Sequence, residues 1–225
     1  MAKHSRCFQS QLGQDVMVDM LLGGRSGFFV EFGALDGLNL SNTQFLEASR
    51  KWTGILAEPA RGCHDALRSN RPNACIDTRC VWSTSGQRME FVETEEVHFS
   101  TLAEFVSSDA HSSKRETDAG KYDVETVSLN QLLRENKCPK RFDFLSVDTE
   151  GSEFDILAAA DFDEFHPRII AVEHNYQPIR QDIYSLLTKR GYQRVMTDLS
   201  WWDDWYVDEK TLESALTRFR KRGWP

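Results

Sequence analysis

Five short β-rich runs, at residues 27–33, 53–58, 74–81, 142–148 and 168–173, are separated by longer stretches with helical spacing. Residues 41–51 put Phe45, Leu46 and Ala48 on one side behind a Ser41-Asn42 entry, and 63–71 form a shorter candidate helix. Residues 151–160 carry Phe154, Ile156 and Leu157, and 179–189 carry Ile183, Leu186 and Leu187 in the same spacing. Strands alternating with helices require crossover connections, which gives βαβ units and a mainly parallel sheet covered on both faces.

The end of the chain breaks the pattern. Residues 192–198 and 205–208 both read as strands, with only 199–204 between them. That gap is too short for a helical crossover, so an antiparallel hairpin should complete a seven-stranded, mostly parallel sheet. An amphipathic stretch at 211–221 closes the chain with a basic last turn suited to the helix dipole. Residues 94–123 are polar with scattered apolar positions, and a gap of that length in a compact domain is expected to be a lid or an insertion.

A chain of 225 residues fits one α/β domain spanning 1–225 and buries roughly 70% of its unfolded surface without metal or disulfide. A net charge of -8 argues against a bulk nucleic-acid binder. The N-terminal residues lack an apolar signal core, and no apolar run could span a bilayer, so a cytoplasmic protein without membrane contact is expected. Cys7, Cys63, Cys75, Cys80 and Cys138 are odd in number and contain no C-x-x-C pair, which reads as reduced thiols.

The chemistry concentrates at strand tips. Residues 28–42 run a buried strand into a loop with Gly33, Ala34, Asp36 and Gly37, then into Ser41 and Asn42 at a helix entry. In open α/β sheets a ligand binds at the carboxyl ends of the strands where their order reverses, which places a cofactor at this loop. Glu31 could hold the ammonium of an amino-acid-bearing cofactor. The loop is not G-x-G-x-x-G, and its acids would repel a pyrophosphate, so a cationic sulfonium cofactor suits it better than NAD. Glu58, before Pro59 at the tip of the second strand, stands where an acid binds a ribose diol. Asp77 and Val81 would then border the adenine.

Residues 142–153 bring Asp148 to the same edge, with Glu150 and Glu153 at the start of the next helix. The fifth strand delivers Glu173 and His174 beside them. His174 could act as a general base. Alternatively Asp148, Glu173 and His174 could hold a divalent metal such as Mg²⁺ that acidifies a substrate hydroxyl. The candidate catalytic residues are therefore His174, Asp148 and Glu150.

The residues 10–15 (Ser-Gln-Leu-Gly-Gln-Asp), 29–37, 57–59, the Asp148-Thr149-Glu150-Gly151-Ser152-Glu153 segment and Val172-Glu173-His174 occur in an order that resembles the FkbM family of S-adenosylmethionine-dependent methyltransferases. The resemblance implies a Rossmann-like class I methyltransferase fold and methyl transfer to a hydroxyl of a sugar, polyketide or other small metabolite. It also implies that Gln14 and Asp15 lie near the cofactor. Trp201, Trp202 and Trp205 could form a stacking platform for the acceptor, or serve packing or a homodimer contact. The rival readings are an NAD-type oxidoreductase and a binding module that keeps the fold without catalysis.

Overall fold

The computed structural model describes residues 8–106 and 118–223. Its main sheet contains β1 (Phe28–Phe32), β2 (Thr53–Ala57), β3 (Cys75–Asp77), β8 (Arg141–Val147), β9 (His166–Glu173), β10 (Tyr192–Val195) and β11 (Asp203–Asp208), in spatial order β10-β11-β9-β8-β1-β2-β3. Six strands run in one direction, and β11 enters antiparallel between β9 and β10. This is the Rossmann-like class I methyltransferase layout with its C-terminal antiparallel hairpin. The strand order reverses between β1 and β8, so the crevice at their carboxyl ends is the natural ligand position.

The central strands are buried on both faces, as their near-continuous apolar sequence requires. Phe29, Leu56, Phe144 and Ile169 point to one face, which is covered by α1 (Gln14–Leu22), α2 (Gln44–Arg50) and α7 (Glu209–Lys221). Val30, Ile55, Leu145 and Ile170 point to the other, with α4 (Leu129–Glu135), α5 (Glu153–Ala159) and α6 (Arg180–Lys189) against it. A short α3 (His64–Asn70) follows β2. No helix among the described residues is long and apolar enough to cross a membrane.

Two sequence expectations need correction. Residues 74–81 do not form one strand: β3 stops at Asp77, whose carboxylate accepts hydrogen bonds from the Arg79 main-chain N–H at 2.9 Å and from its guanidinium. That turn sends β4 (Cys80–Trp82) into a second sheet with β5 (Arg88–Thr94), β6 (Thr101–Leu102) and β7 (Asp118–Ser128), in the order β4-β7-β5-β6. Residues 118–123, read as part of a polar gap, therefore belong to β7 and pair antiparallel with β5. The charges at Glu90, Lys121, Asp123 and Glu125 hid this ribbon, which buries Phe91 and Val124 on one face. Within the expected insertion, 107–117 lie outside the described residues.

Candidate active site

A cavity of about 730 Å³ opens at the carboxyl ends of β1, β2, β8 and β9, within the size range of small-molecule sites. Gly33 begins its wall. With φ of +69° and the Asp148 main-chain oxygen 2.2 Å from where a β-carbon would stand, this position accepts only glycine. Gly37 is glycine for another reason: a β-carbon there would strike Arg71 and Leu67, away from the cavity.

Of the residues expected at a cofactor, Gln14, Glu31, Gly33, Asn42, Glu58, Pro59 and Val81 line the cavity. Asp15, Ala34, Asp36, Ser41 and Asp77 are not on its wall but organise the segments that are. The Asp15 carboxylate accepts from Gln9, Ser10 and Val16, tying the N-terminal segment to α1. The Asp36 carboxylate accepts from the main-chain N–H groups of Leu38 and Asn39, both at 2.8 Å. Ser41 donates to Glu31 at 3.0 Å.

Glu31 lines the cavity and is also engaged by its own loop. One of its oxygens accepts from the Asn42 main-chain N–H at 2.7 Å, and the other from the hydroxyls of Ser41 and Thr43. Burial pushes its pKa up, against the nearby Arg71 charge. These contacts make Glu31 the anchor of the loop between β1 and α2. Glu58 keeps the expected place at the tip of β2, where its oxygens accept from Leu35 N–H at 2.8 Å and Ala60 N–H at 2.7 Å. Burial raises its pKa to about 7, and each oxygen retains acceptor capacity for a hydroxyl.

Opposite this half stands a group of acids. Asp148, Glu150 and Glu173 each place a carboxylate oxygen within 4.8 Å of the others. Asp203 faces Glu173 across the β9–β11 pairing, and Gln14 donates to it at 2.7 Å. Burial and then the charges of Glu150, Asp203 and Glu153 push Asp148 well above the usual carboxylate range, and Glu173, hydrogen-bonded to it, moves the same way. Burial lifts Asp203 to about 6. Glu153 turns inward as a cap, accepting from Thr149 and Gly151 main-chain N–H groups.

His174 is not brought to this group. Its Nδ1 accepts from the Tyr176 main-chain N–H at 3.0 Å, and its Nε2 lies 3.7 Å from Asp204, which also receives Arg180 and Arg194. The imidazole is buried on the side of β9 away from the cavity wall. The oxygen atoms able to surround a cation are thus those of Asp148, Glu150 and Glu173, and the set with His174 does not form.

Residues 97–100 and Leu102 lie over the cavity, held by the Thr101 hydroxyl, which donates to the Glu150 carbonyl at 2.9 Å, and by Phe105 against Gly151. Five of the nine described non-glycine residues at positive φ, Leu35, Leu40, Glu150, Asn175 and Tyr176, line the cavity. Such backbone conformations persist only where surrounding structure enforces them, and they concentrate at functional sites.

A family model for the methyltransferase FkbM domain matches residues 31–194, the span from the first cofactor strand to the hairpin. The chain belongs to the FkbM methyltransferase family. Comparison with curated proteins gives no match. Among solved structures, the chain is similar to an O-methyltransferase from Bacillus cereus in complex with SAH, at 13% identity and a TM-score of 0.48, covering 91% of this chain and 84% of that one. It is also similar to precorrin-6y C5,15-methyltransferase from Geobacter metallireducens, at 11% identity and a TM-score of 0.44, covering 87% and 79%. In this FkbM domain the three tryptophans divide between the alternatives: Trp205 is buried in the sheet, Trp202 lines the cavity, and Trp201 is exposed and packs against Trp202.

Sequence reasoning missed Asp203, Tyr176 and His98, all on the cavity wall. Asp203 was findable: extending the last strand two residues toward the N-terminus sets it opposite Glu173.

Proposed function

We propose that this FkbM-family protein transfers a methyl group from S-adenosylmethionine to a hydroxyl oxygen of a small metabolite, such as a sugar or polyketide. The observation that carries the proposal is the single cavity that joins the glycine loop and Glu58 on one side to the Asp148–Glu173 pair on the other. When bound, S-adenosylmethionine supplies an electrophilic methyl carbon, to which the acceptor oxygen bonds as the carbon–sulfur bond breaks toward sulfur.

The chain's own residues position and deprotonate. Glu58 accepts from ribose hydroxyls with the capacity left on its two oxygens, and the Gly33 main chain permits close approach. Asp148 takes the acceptor's hydroxyl proton, because burial and the neighbouring acids make its carboxylate a stronger base than an ordinary one. Glu173 shares the proton through its hydrogen bond to Asp148. His174 supports the reaction from outside the cavity, by fixing the turn that carries Asn175 and Tyr176.

The test is consumption of S-adenosylmethionine against a panel of hydroxylated metabolites, with thermal shift by S-adenosylmethionine, SAH and NAD alongside. Stabilisation by the first two with methylated oxygen in the product supports the reading. Stabilisation by NAD alone sinks it, and methylation at nitrogen or carbon sinks its finer part.

A further inference from the structure

The cavity is chemically one-sided beyond what a single cofactor carboxylate requires. Among the described residues lining it are Glu31, Glu58, Asp148, Glu150, Glu173 and Asp203, and no lysine or arginine. Glu31 is engaged by its own loop and Glu58 belongs to the ribose position, which leaves the group around Asp148 facing the acceptor half. Even with one proton shared between Asp148 and Glu173, this group offers more acceptors than donors and a net negative charge, so the complementary ligand is rich in donors and positively charged.

The rim adds a second kind of complementarity. Tyr176 and Trp202 line the cavity, and Tyr176 is 66% exposed, at the mouth. Their loops are fastened together where the Trp202 carbonyl accepts from the main-chain N–H groups of His174 and Asn175, at 2.8 and 3.1 Å. Trp201 packs edge-on against Trp202 at 5.7 Å between centroids and leaves 58% of itself in solvent. Aromatic faces above carboxylates are the usual environment for an organic ammonium, which gains from both. An anionic acceptor would meet like charges without a counter-ion.

We infer that the methyl acceptor carries a protonated amine, seated against Glu173 and Asp203 beside the rings of Tyr176 and Trp202. The inference rests on the methyl-transfer reading of the same cavity and specifies the acceptor within it. The hydroxyl to be methylated and the amine are separate groups of one molecule, as in an amino sugar or a phenolic amine.

Calorimetric titration of the SAH-loaded protein with two matched series tests it: tyramine, 4-propylphenol and 3-(4-hydroxyphenyl)propionate, and glucosamine, glucose and glucuronate. In at least one series the amine is expected to bind at least tenfold more tightly than the neutral analogue, and the anion most weakly. Asp203→Asn, which still accepts from Gln14, should cut that preference to threefold or less while leaving SAH affinity unchanged. Equal binding within both series, tighter binding of the anions, or no amine binding at millimolar concentration overturns the inference. Micromolar Mg²⁺ binding that abolishes the amine preference also overturns it, by assigning the acids to a metal. The methyl-transfer reading fails separately, through absence of stabilisation by S-adenosylmethionine or SAH.

Discussion

The main-chain oxygen of Asp148 stands 2.2 Å from where a β-carbon on Gly33 would be, so the tips of β1 and β8 meet backbone to backbone at the reversal of strand order. Adding that carbon by Gly33→Ala forces the two strand ends apart and imposes a left-handed conformation on an L-residue. The expected cost is about 2–4 kcal/mol in urea unfolding, with loss of the thermal shift by SAH. Gly86→Ala is the control, because φ is +77° there too and no atom lies within 4 Å. Its cost should be only the conformational one, roughly 1–2 kcal/mol. Equal losses in the two variants would show that the contact with Asp148 contributes nothing.

Glu58 ties stability to pH in an unusual direction. Its carboxyl releases a proton near 4.5 in the unfolded chain and near 7 in the folded one, mainly because of burial. Between those values the folded state holds a proton the unfolded state has lost, so stability falls as pH rises. Glu31, Asp148, Glu173 and Asp203 shift the same way. The ligand-free protein should therefore melt at a lower temperature at pH 8 than at pH 5.5, by calorimetry. Glu58→Gln should flatten that slope. An unchanged slope in the variant would remove Glu58 from the account.

The sheet was legible because its signals are local. Apolar strand runs, helical spacing and the short 199–204 connection each dictate geometry within a few residues, and β1, β2, β8, β9 and the hairpin follow from them. The second sheet was not, because β5 and β7 pair across the 95–117 interval and their outward charges mask the alternation at Met89, Phe91, Tyr122 and Val124. Helix α1 had a readable signal, Met17, Val18, Leu21 and Leu22 between two glycines in left-handed conformation, that motif reading passed over. The site divides along the same line. Strand tips bring Glu58, Asp148 and Glu173 to the cavity wall. The direction of the His174 ring depended on Asp204, which the antiparallel insertion of β11 brings to it and which Arg180 and Arg194 hold by ion pairs.

The contrast between Asp148 and His174 can be measured directly. Asp148→Asn removes the proposed proton acceptor while preserving shape, and turnover should fall by roughly 10²–10⁴ with SAH affinity within a factor of three. His174→Asn keeps an acceptor for the Tyr176 N–H and should retain turnover within about threefold of the parent, the small change expected for a group that does not touch the reacting atoms. The reverse pattern, a large loss in the histidine variant and none in the aspartate variant, would return the base to His174.

Arg71 shows how the cofactor loop is held from behind. It is 2% exposed, pairs with Glu47 at 2.6 Å, and donates to the Gly37 carbonyl, the Ser41 hydroxyl and the Thr43 hydroxyl at 3.0–3.1 Å. Those hydroxyls in turn donate to Glu31, and the Arg71 charge opposes the rise in Glu31's pKa. Arg71→Met strands two carboxylates and three acceptors at once, and should cost about 3–5 kcal/mol in denaturant unfolding. Lysine cannot fork to all four partners, so Arg71→Lys should recover little. If Glu31 is anchored through Arg71, then adding Glu31→Gln to Arg71→Met should cost less than the sum of the single changes, by roughly 0.5–3 kcal/mol. Strict additivity would mean that the two residues hold the loop independently.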